Sequence, residues 1–175
     1  MRTRDVTYIA VSAALICICS WIAVPAVVPF TLQTFAVFLV IGLLGGKRGF
    51  FAVFVYLIIG ALGVPVFSGF RGGLGTLLGS TGGYLIGFLF TAAVFWLITH
   101  FFGEGTAALA IGMACGMLVC YAFGTMWFMI FNLNEEKSVQ FFLTLLKCVI
   151  PFIIPDAIKI YLALKLSGRL KKLIR

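Results

Sequence analysis

Asp, Glu, Lys and Arg are absent from four long stretches of the chain, Val6–Gly46, Gly49–Phe70, Gly72–Gly103 and Gly105–Asn134. Each stretch is long enough to cross a bilayer, which takes about 20 apolar residues. Proline and glycine clusters and the few charges divide this apolar mass into six expected helices. These are Val6–Val24, Leu32–Gly45, Lys47–Leu62, Leu77–Phe101, Thr106–Phe131 and Pro151–Leu170. Pro25 and Pro29 split the first charge-free stretch into two crossings, and Gly63-Val64-Pro65 ends the third helix before a glycine-rich loop. Ser138–Val149, with a polar start and Lys147, is expected to lie as an interfacial helix.

Composition agrees with this pattern. Of 175 residues, 63% are hydrophobic and 10% charged, against roughly 25% charged in an ordinary soluble domain. A soluble globule is excluded. Six crossings at about 20 residues each use most of the chain, so residues 1–175 are expected to form a single transmembrane domain, an all-α membrane protein. No separate nucleotide-binding domain fits. Gly45-Gly46-Lys47-Arg48 lacks the glycine spacing and the Ser/Thr of a phosphate-binding loop, so ATP hydrolysis by this chain alone is not expected. The apolar run after Arg2 and Arg4 exceeds the core of a cleaved signal and is expected to be a retained first helix.

Net charge +8 has a topological explanation, because Lys and Arg collect in cytoplasmic loops, and nucleic acid is not an expected partner. With the N-terminus inside, Arg2, Arg4, Lys47, Arg48, Lys165, Arg169, Lys171, Lys172 and Arg175 are cytoplasmic. Arg71, Lys137, Lys147 and Lys159 fall on the other side. Both termini are therefore expected in the cytoplasm of a multi-pass plasma-membrane protein. The five cysteines, Cys17, Cys19, Cys115, Cys120 and Cys148, lie in apolar stretches without CxxC spacing and are expected as buried free thiols.

The strongest chemical signal is Pro151-Phe-Ile-Ile-Pro155-Asp156-Ala-Ile-Lys159, which sets an acid and a base three residues apart on one helical face. A charged group deep in a bilayer costs roughly 2.5–3.5 kcal/mol, so such residues usually face a partner or a cavity. The pair is either self-neutralising or ligand-facing, and Pro155, which frees a backbone carbonyl, favours the second. The loop Val64–Tyr84 carries seven glycines by Gly83 and a single charge, Arg71. Its apolar side chains suit a lid, and Arg71 offers a fork for a carboxylate; a flexible surface loop is the alternative. Pro25–Phe35 joins rigid turns to Thr31, Gln33 and Thr34, which suit either a neutral polar ligand group or helix capping by Thr31.

Gly75, Gly79, Gly83 and Gly87 repeat every four residues, as do Gly112 and Gly116, and are expected to pack helices closely. Ala10 and Ala14 form a similar pair, equally suited to docking another membrane protein. His100 beside Glu104 is expected to be a loop residue. No hydrolase triad, HExxH motif or metal-ligand spacing occurs, so neither an enzyme nor a metal site is expected. An ion-coupled carrier would usually carry inverted repeats or several intramembrane acids, neither of which is evident.

Four motifs, in order along nearly the whole chain, resemble the BioY family of biotin transporters. They are Pro29-Phe-Thr-Leu-Gln-Thr-Phe35, Gly60-Ala-Leu-Gly-Val-Pro-Val-Phe67, Thr81-Gly-Gly-Tyr-Leu-Ile-Gly-Phe88 and Pro155-Asp-Ala-Ile-Lys159. Where a typical member has proline before Thr-Gly-Gly-Tyr, this chain has Ser80. The resemblance implies a six-helix substrate-binding subunit, the S component of an energy-coupling factor (ECF) transporter. Such a subunit has an outward-facing pocket and works with a transmembrane subunit and two ATPase subunits. It implies biotin as the transported ligand and no cofactor. On that basis Asp156 is expected to accept from the ureido N–H groups, while Lys159 donates to the ureido oxygen or balances the aspartate. Phe30, Phe35, Phe67 and Tyr84 are expected to line the ring pocket and Arg71 to meet the carboxylate. Gln33, Thr34, Thr81 and Gly82 are further ligand candidates, and Ala10 and Ala14 match the family's docking stripe. A carrier for another small vitamin, working with or without an ATPase module, and a small intramembrane enzyme remain as alternatives.

Overall fold

The computed structural model describes residues 3–26, 28–134 and 141–174. Expectations placed on Arg2, Lys137, Arg175 and the start of Ser138–Val149 lie outside the described residues. Six long helices form the body: α1 (Thr3–Trp21), α2 (Gln33–Leu44), α3 (Gly46–Ala61), α5 (Gly82–Phe102), α6 (Thr106–Asn134) and α8 (Ile150–Ile174). Two short ones, α4 (Leu74–Leu77) and α7 (Phe141–Cys148), sit in the connections.

α2 is the centre of the bundle. It is apolar on every side, and nine of its twelve residues are buried, as an all-round apolar helix requires. At about 1.5 Å per residue it spans only about 18 Å, less than the hydrocarbon thickness. That is tolerated because protein, not lipid, covers its ends. Among the described residues, α1, α5 and the Thr106–Asn132 part of α6 are long and apolar enough to cross a membrane unaided. α1 buries Ile9, Ser12, Ala13, Ile16, Cys17 and Ser20, one helical face, and leaves Val6, Val11 and Ile18 exposed on the other. Apolar residues on the outside recur throughout, including Leu118 and Ile154. A surface of this kind suits a bilayer and would make a soluble protein associate.

α5 and α6 pack as an antiparallel pair through glycine. A Cβ on Gly87 would stand 2.7 Å from Cys120 Sγ, and one on Gly116 2.8 Å from the Thr91 carbonyl, so no larger residue fits without separating the helices. Gly83 and Gly112 belong to the same contact, whereas a Cβ on Gly75 would meet nothing and one on Gly79 only its own loop. The expected glycine repeat is thus a packing device in the helical half of the series alone.

Three elements depart from the sequence-based expectation. The first helix stops at Trp21, because Ala23–Val24 becomes a strand, β1, paired antiparallel with β2 (Phe30–Thr31). Pro25 disfavours helical backbone at Val24, and the Ile22 carbonyl accepts from the Leu32 N–H instead. The expected helix Leu77–Phe101 is broken at its start into α4 and α5 by the turn bonds Gly82 N–H to Gly79 O and Tyr84 N–H to Thr81 O. α8 runs beyond both ends of its expected span.

The two ends of the bundle differ. At one, Arg48 pairs with Asp5 at 2.9 Å and Lys171 with Glu104 at 3.0 Å, tying together the start of α1, the α2–α3 and α5–α6 junctions and the end of α8. His100 lies exposed at this end, in the last turn of α5. At the other are the β1–β2 hairpin, the glycine-rich loop with α4, and the α7–α8 junction.

Candidate ligand-binding site

A cavity of about 580 Å³ opens at the hairpin end, within the usual range for small-molecule sites. Its walls come from α8, the glycine-rich loop, the β-hairpin with the start of α2, and the facing sides of α5 and α6. α8 supplies the charged wall. Its buried positions Phe152, Asp156, Lys159, Ala163 and Ser167 recur at helical spacing and face α2. Pro155 lies within the second turn of this helix. Lacking an N–H, it leaves the Pro151 carbonyl without the usual partner.

Asp156 and Lys159 are 3% and 6% exposed, so their charges depend on protein partners. Lys159 Nζ donates to Asp156 Oδ1 at 2.9 Å and to the Thr31 carbonyl at 2.8 Å, and stands 4.1 Å from the centre of the Phe30 ring. Tyr121 of α6 donates to the other carboxylate oxygen, Asp156 Oδ2, at 2.6 Å. One ion pair thereby joins α8, α6 and the β-hairpin.

The opposite wall is the glycine-rich loop. Phe67 and Arg71 face each other across a tight turn, in which Gly69 and Phe70 adopt positive φ of 71° and 55°. Phe70 takes this conformation with its ring stacked on Trp21 at 5.2 Å. The Trp21 indole donates to the Pro65 carbonyl, and Ser20 Oγ donates toward the Val66 carbonyl. Arg71 lines the cavity from this loop, exposed, and no acidic side chain among the described residues pairs with it. With Asp156, Lys159 and Arg71 ionised, the cavity carries one net positive formal charge.

Of the residues singled out from the sequence, the cavity wall brings together Asp156, Lys159, Arg71, Tyr84, Gln33, Thr34, Phe67 and Thr81. Three others stand off it. Phe30 packs behind Lys159 and against Phe152, at 6.0 Å between rings; Phe35 is half-buried against the core. Gly82 is buried beneath the Leu77 carbonyl, which occupies the place a side chain would need. Thr31 also lines the cavity; its hydroxyl accepts from the Gln33 backbone N–H at 3.2 Å, although the N-cap position itself is Leu32, which has no side-chain cap. Ala10 and Ala14 lie far from the cavity in sequence, on the exposed face of α1.

Sequence reasoning missed Tyr121, together with Trp21, Met117, Cys120 and Cys148 on the wall. Nothing local marks Tyr121 among the apolar residues of α6. Only the register of α6 against α8 places its hydroxyl at Asp156.

Comparison with known proteins identifies the same architecture. The family model described as "BioY family" matches residues 1–175. A "Biotin transporter BioY" from Thermotoga maritima is 39% identical over 97% of each chain. A "Probable biotin transporter BioY" from Pyrococcus horikoshii is 37% identical over 98% of each. Among solved structures, the S-component for biotin from an ECF-type ABC transporter superposes with a TM-score of 0.86 at 26% identity. The match covers 98% of this chain and 95% of that one.

Proposed function

The chain belongs to the BioY family, and from that premise we propose that it is the S component that captures biotin for uptake. It is a multi-pass membrane transporter subunit and not an enzyme. Biotin enters as cargo, not as a prosthetic group.

The observation that carries this reading is the buried Asp156–Lys159 pair set in the wall of a ligand-sized cavity. Biotin offers a cyclic urea with two N–H donors, an apolar fused ring and a carboxylate tail. Asp156 keeps lone pairs beyond those used by Lys159 and Tyr121, and accepts from the urea N–H groups. Lys159 gives two of its three N–H donors to Asp156 and Thr31 and stands over the Phe30 ring, which supports its role as the aspartate's counter-charge over donation to the ureido oxygen. Phe67 and Tyr84 pack the ring, with Thr34 and Thr81 beside them. Arg71 takes the carboxylate, and the cavity's net positive charge suits a monoanion. Phe30 and Phe35 act from behind the wall and Gly82 by letting the loop close over α5.

The cavity faces the cell exterior and both termini the cytoplasm, which puts the basic end with Lys47, Arg48 and Lys171 inside. The whole chain acts as one substrate-binding domain. Ala10 and Ala14 on α1 dock the transmembrane subunit of an energy-coupling factor module, and two ATPase subunits drive release to the cytoplasm. Equilibrium binding to the detergent-solubilised protein tests the reading. Labelled biotin is expected to bind and to be displaced by unlabelled biotin but not by thiamine or riboflavin. Equal displacement by all three would overturn it.

A further inference from the structure

Gln33 begins α2 beside the cavity, and among the described residues its side chain has one hydrogen-bond partner, the hydroxyl of Tyr56, reached at 3.0 Å from Gln33 Nε2. Tyr56 belongs to α3, is fully buried and does not line the cavity. Its ring is locked edge-on against Phe67 at 5.6 Å, and its hydroxyl donates to the Val66 carbonyl at 3.1 Å. The protons in this short chain fix its direction. A tyrosine hydroxyl has one hydrogen. Given to Val66, it leaves only lone pairs to meet Gln33, so the NH₂ end of the amide must point at Tyr56. Ser20 Oγ also donates toward the Val66 carbonyl, so that oxygen keeps a donor either way. But with the amide turned over the Tyr56 proton would go to Gln33, and the Tyr56 and Val66 oxygens, 3.1 Å apart, would face each other without a proton between them. The carbonyl oxygen, Gln33 Oε1, then points the other way. Among the described residues no donor reaches it, and no sealed side-chain oxygen is left unpaired, so it is open to the cavity.

We propose that Tyr56 is a positioning residue that sets the Gln33 amide with its carbonyl toward the ligand, so that this wall recognises an N–H donor. The inference rests on the reading of the cavity as the biotin site and adds a second acceptor to Asp156. A ligand with two N–H groups satisfies both. One with a methyl group on either nitrogen leaves a buried acceptor unpaired, which costs more than the lost bond.

The experiment measures Kd for biotin and for its two mono-N-methyl ureido analogues on detergent-solubilised wild type, Tyr56→Phe, Gln33→Met and the double variant. In wild type, methylation at the nitrogen facing Gln33 is expected to weaken binding at least tenfold. Tyr56→Phe, which frees the amide to turn over, is expected to weaken biotin about tenfold and to shrink that methylation penalty to about threefold or less. In the Gln33→Met background it is expected to have no further effect. A loss equal for biotin and both analogues, or full additivity with Gln33→Met, would show Tyr56 to be a packing residue only and overturn the proposal. Should Tyr56→Phe fail to fold, Gln33→Met decides, since it leaves the Tyr56–Val66 bond in place. An undiminished methylation penalty there means no acceptor exists for Tyr56 to set. If wild type binds no biotin, the reading of the cavity falls first, a result distinct from wild-type binding with unchanged selectivity.

Discussion

The two ends of this molecule use the same chemistry at opposite degrees of burial. At the basic end, Arg48–Asp5 and Lys171–Glu104 hold N···O distances of 2.9 and 3.0 Å with side chains 49% and 16%, and 26% and 55%, exposed. At the hairpin end, Lys159–Asp156 has the same 2.9 Å distance with side chains 7% and 4% exposed. Distance therefore says little about what an ion pair is for. Exposed pairs contribute about 0–1 kcal/mol and tie loops together. A buried pair costs several kcal/mol per ion in desolvation and is often no more stabilising than apolar residues of the same volume. Retaining one against a cavity makes sense where its partner groups and spare lone pairs serve a ligand.

The largest effect expected from this contrast is on folding. Asp156→Ala leaves Lys159 buried without its counter-charge and is expected to destabilise the protein by about 3–5 kcal/mol, read as a lowered midpoint in thermal unfolding in detergent. The double variant Asp156→Leu with Lys159→Met removes both charges and is expected to recover most of that loss while binding no biotin. If the double variant were no more stable than Asp156→Ala, the pair would be a structural clasp like those at the other end. Next comes Tyr121→Phe. Losing a hydrogen bond to a charged group costs about 1.5–3 kcal/mol, so biotin affinity is expected to fall tenfold or more, measured by equilibrium binding. Arg71→Ala is expected to weaken biotin about tenfold but to leave an uncharged biotin amide within about twofold, the outcome that follows from the proposal that this exposed guanidinium takes the carboxylate. Smallest of all, Asp5→Asn and Glu104→Gln are expected to shift stability by less than about 1 kcal/mol and leave biotin affinity unchanged. A large binding loss in either would erase the distinction between the two ends.

The same contrast explains what could be read from the sequence. Long charge-free runs and their Pro and Gly breaks reveal the six helices, since a bilayer restricts spanning segments to a few forms. The α8 pair was legible for the same reason: Asp156 and Lys159 are conspicuous where charge is rare. The β1–β2 hairpin and the split between α4 and α5 were not, because they depend on distant partners such as the Trp127 indole donating to the Gly79 carbonyl. Phe30 and Phe67 look equivalent in sequence, yet one packs behind Lys159 and the other lines the cavity. Tyr121 and Tyr56 carry no local mark at all. Their roles arise from which helix faces which, and a single sequence does not encode that in any short motif.

The central claim is that the buried pair on α8 holds biotin. It is tested most directly by the equilibrium affinity of labelled biotin for wild type and for Asp156→Asn, purified in the same detergent and matched for folding. The account predicts a loss of at least a hundredfold, because the asparagine amide replaces an acceptor with a donor and leaves Lys159 uncompensated. An Asp156→Asn protein that is folded and binds biotin as tightly as wild type would contradict it.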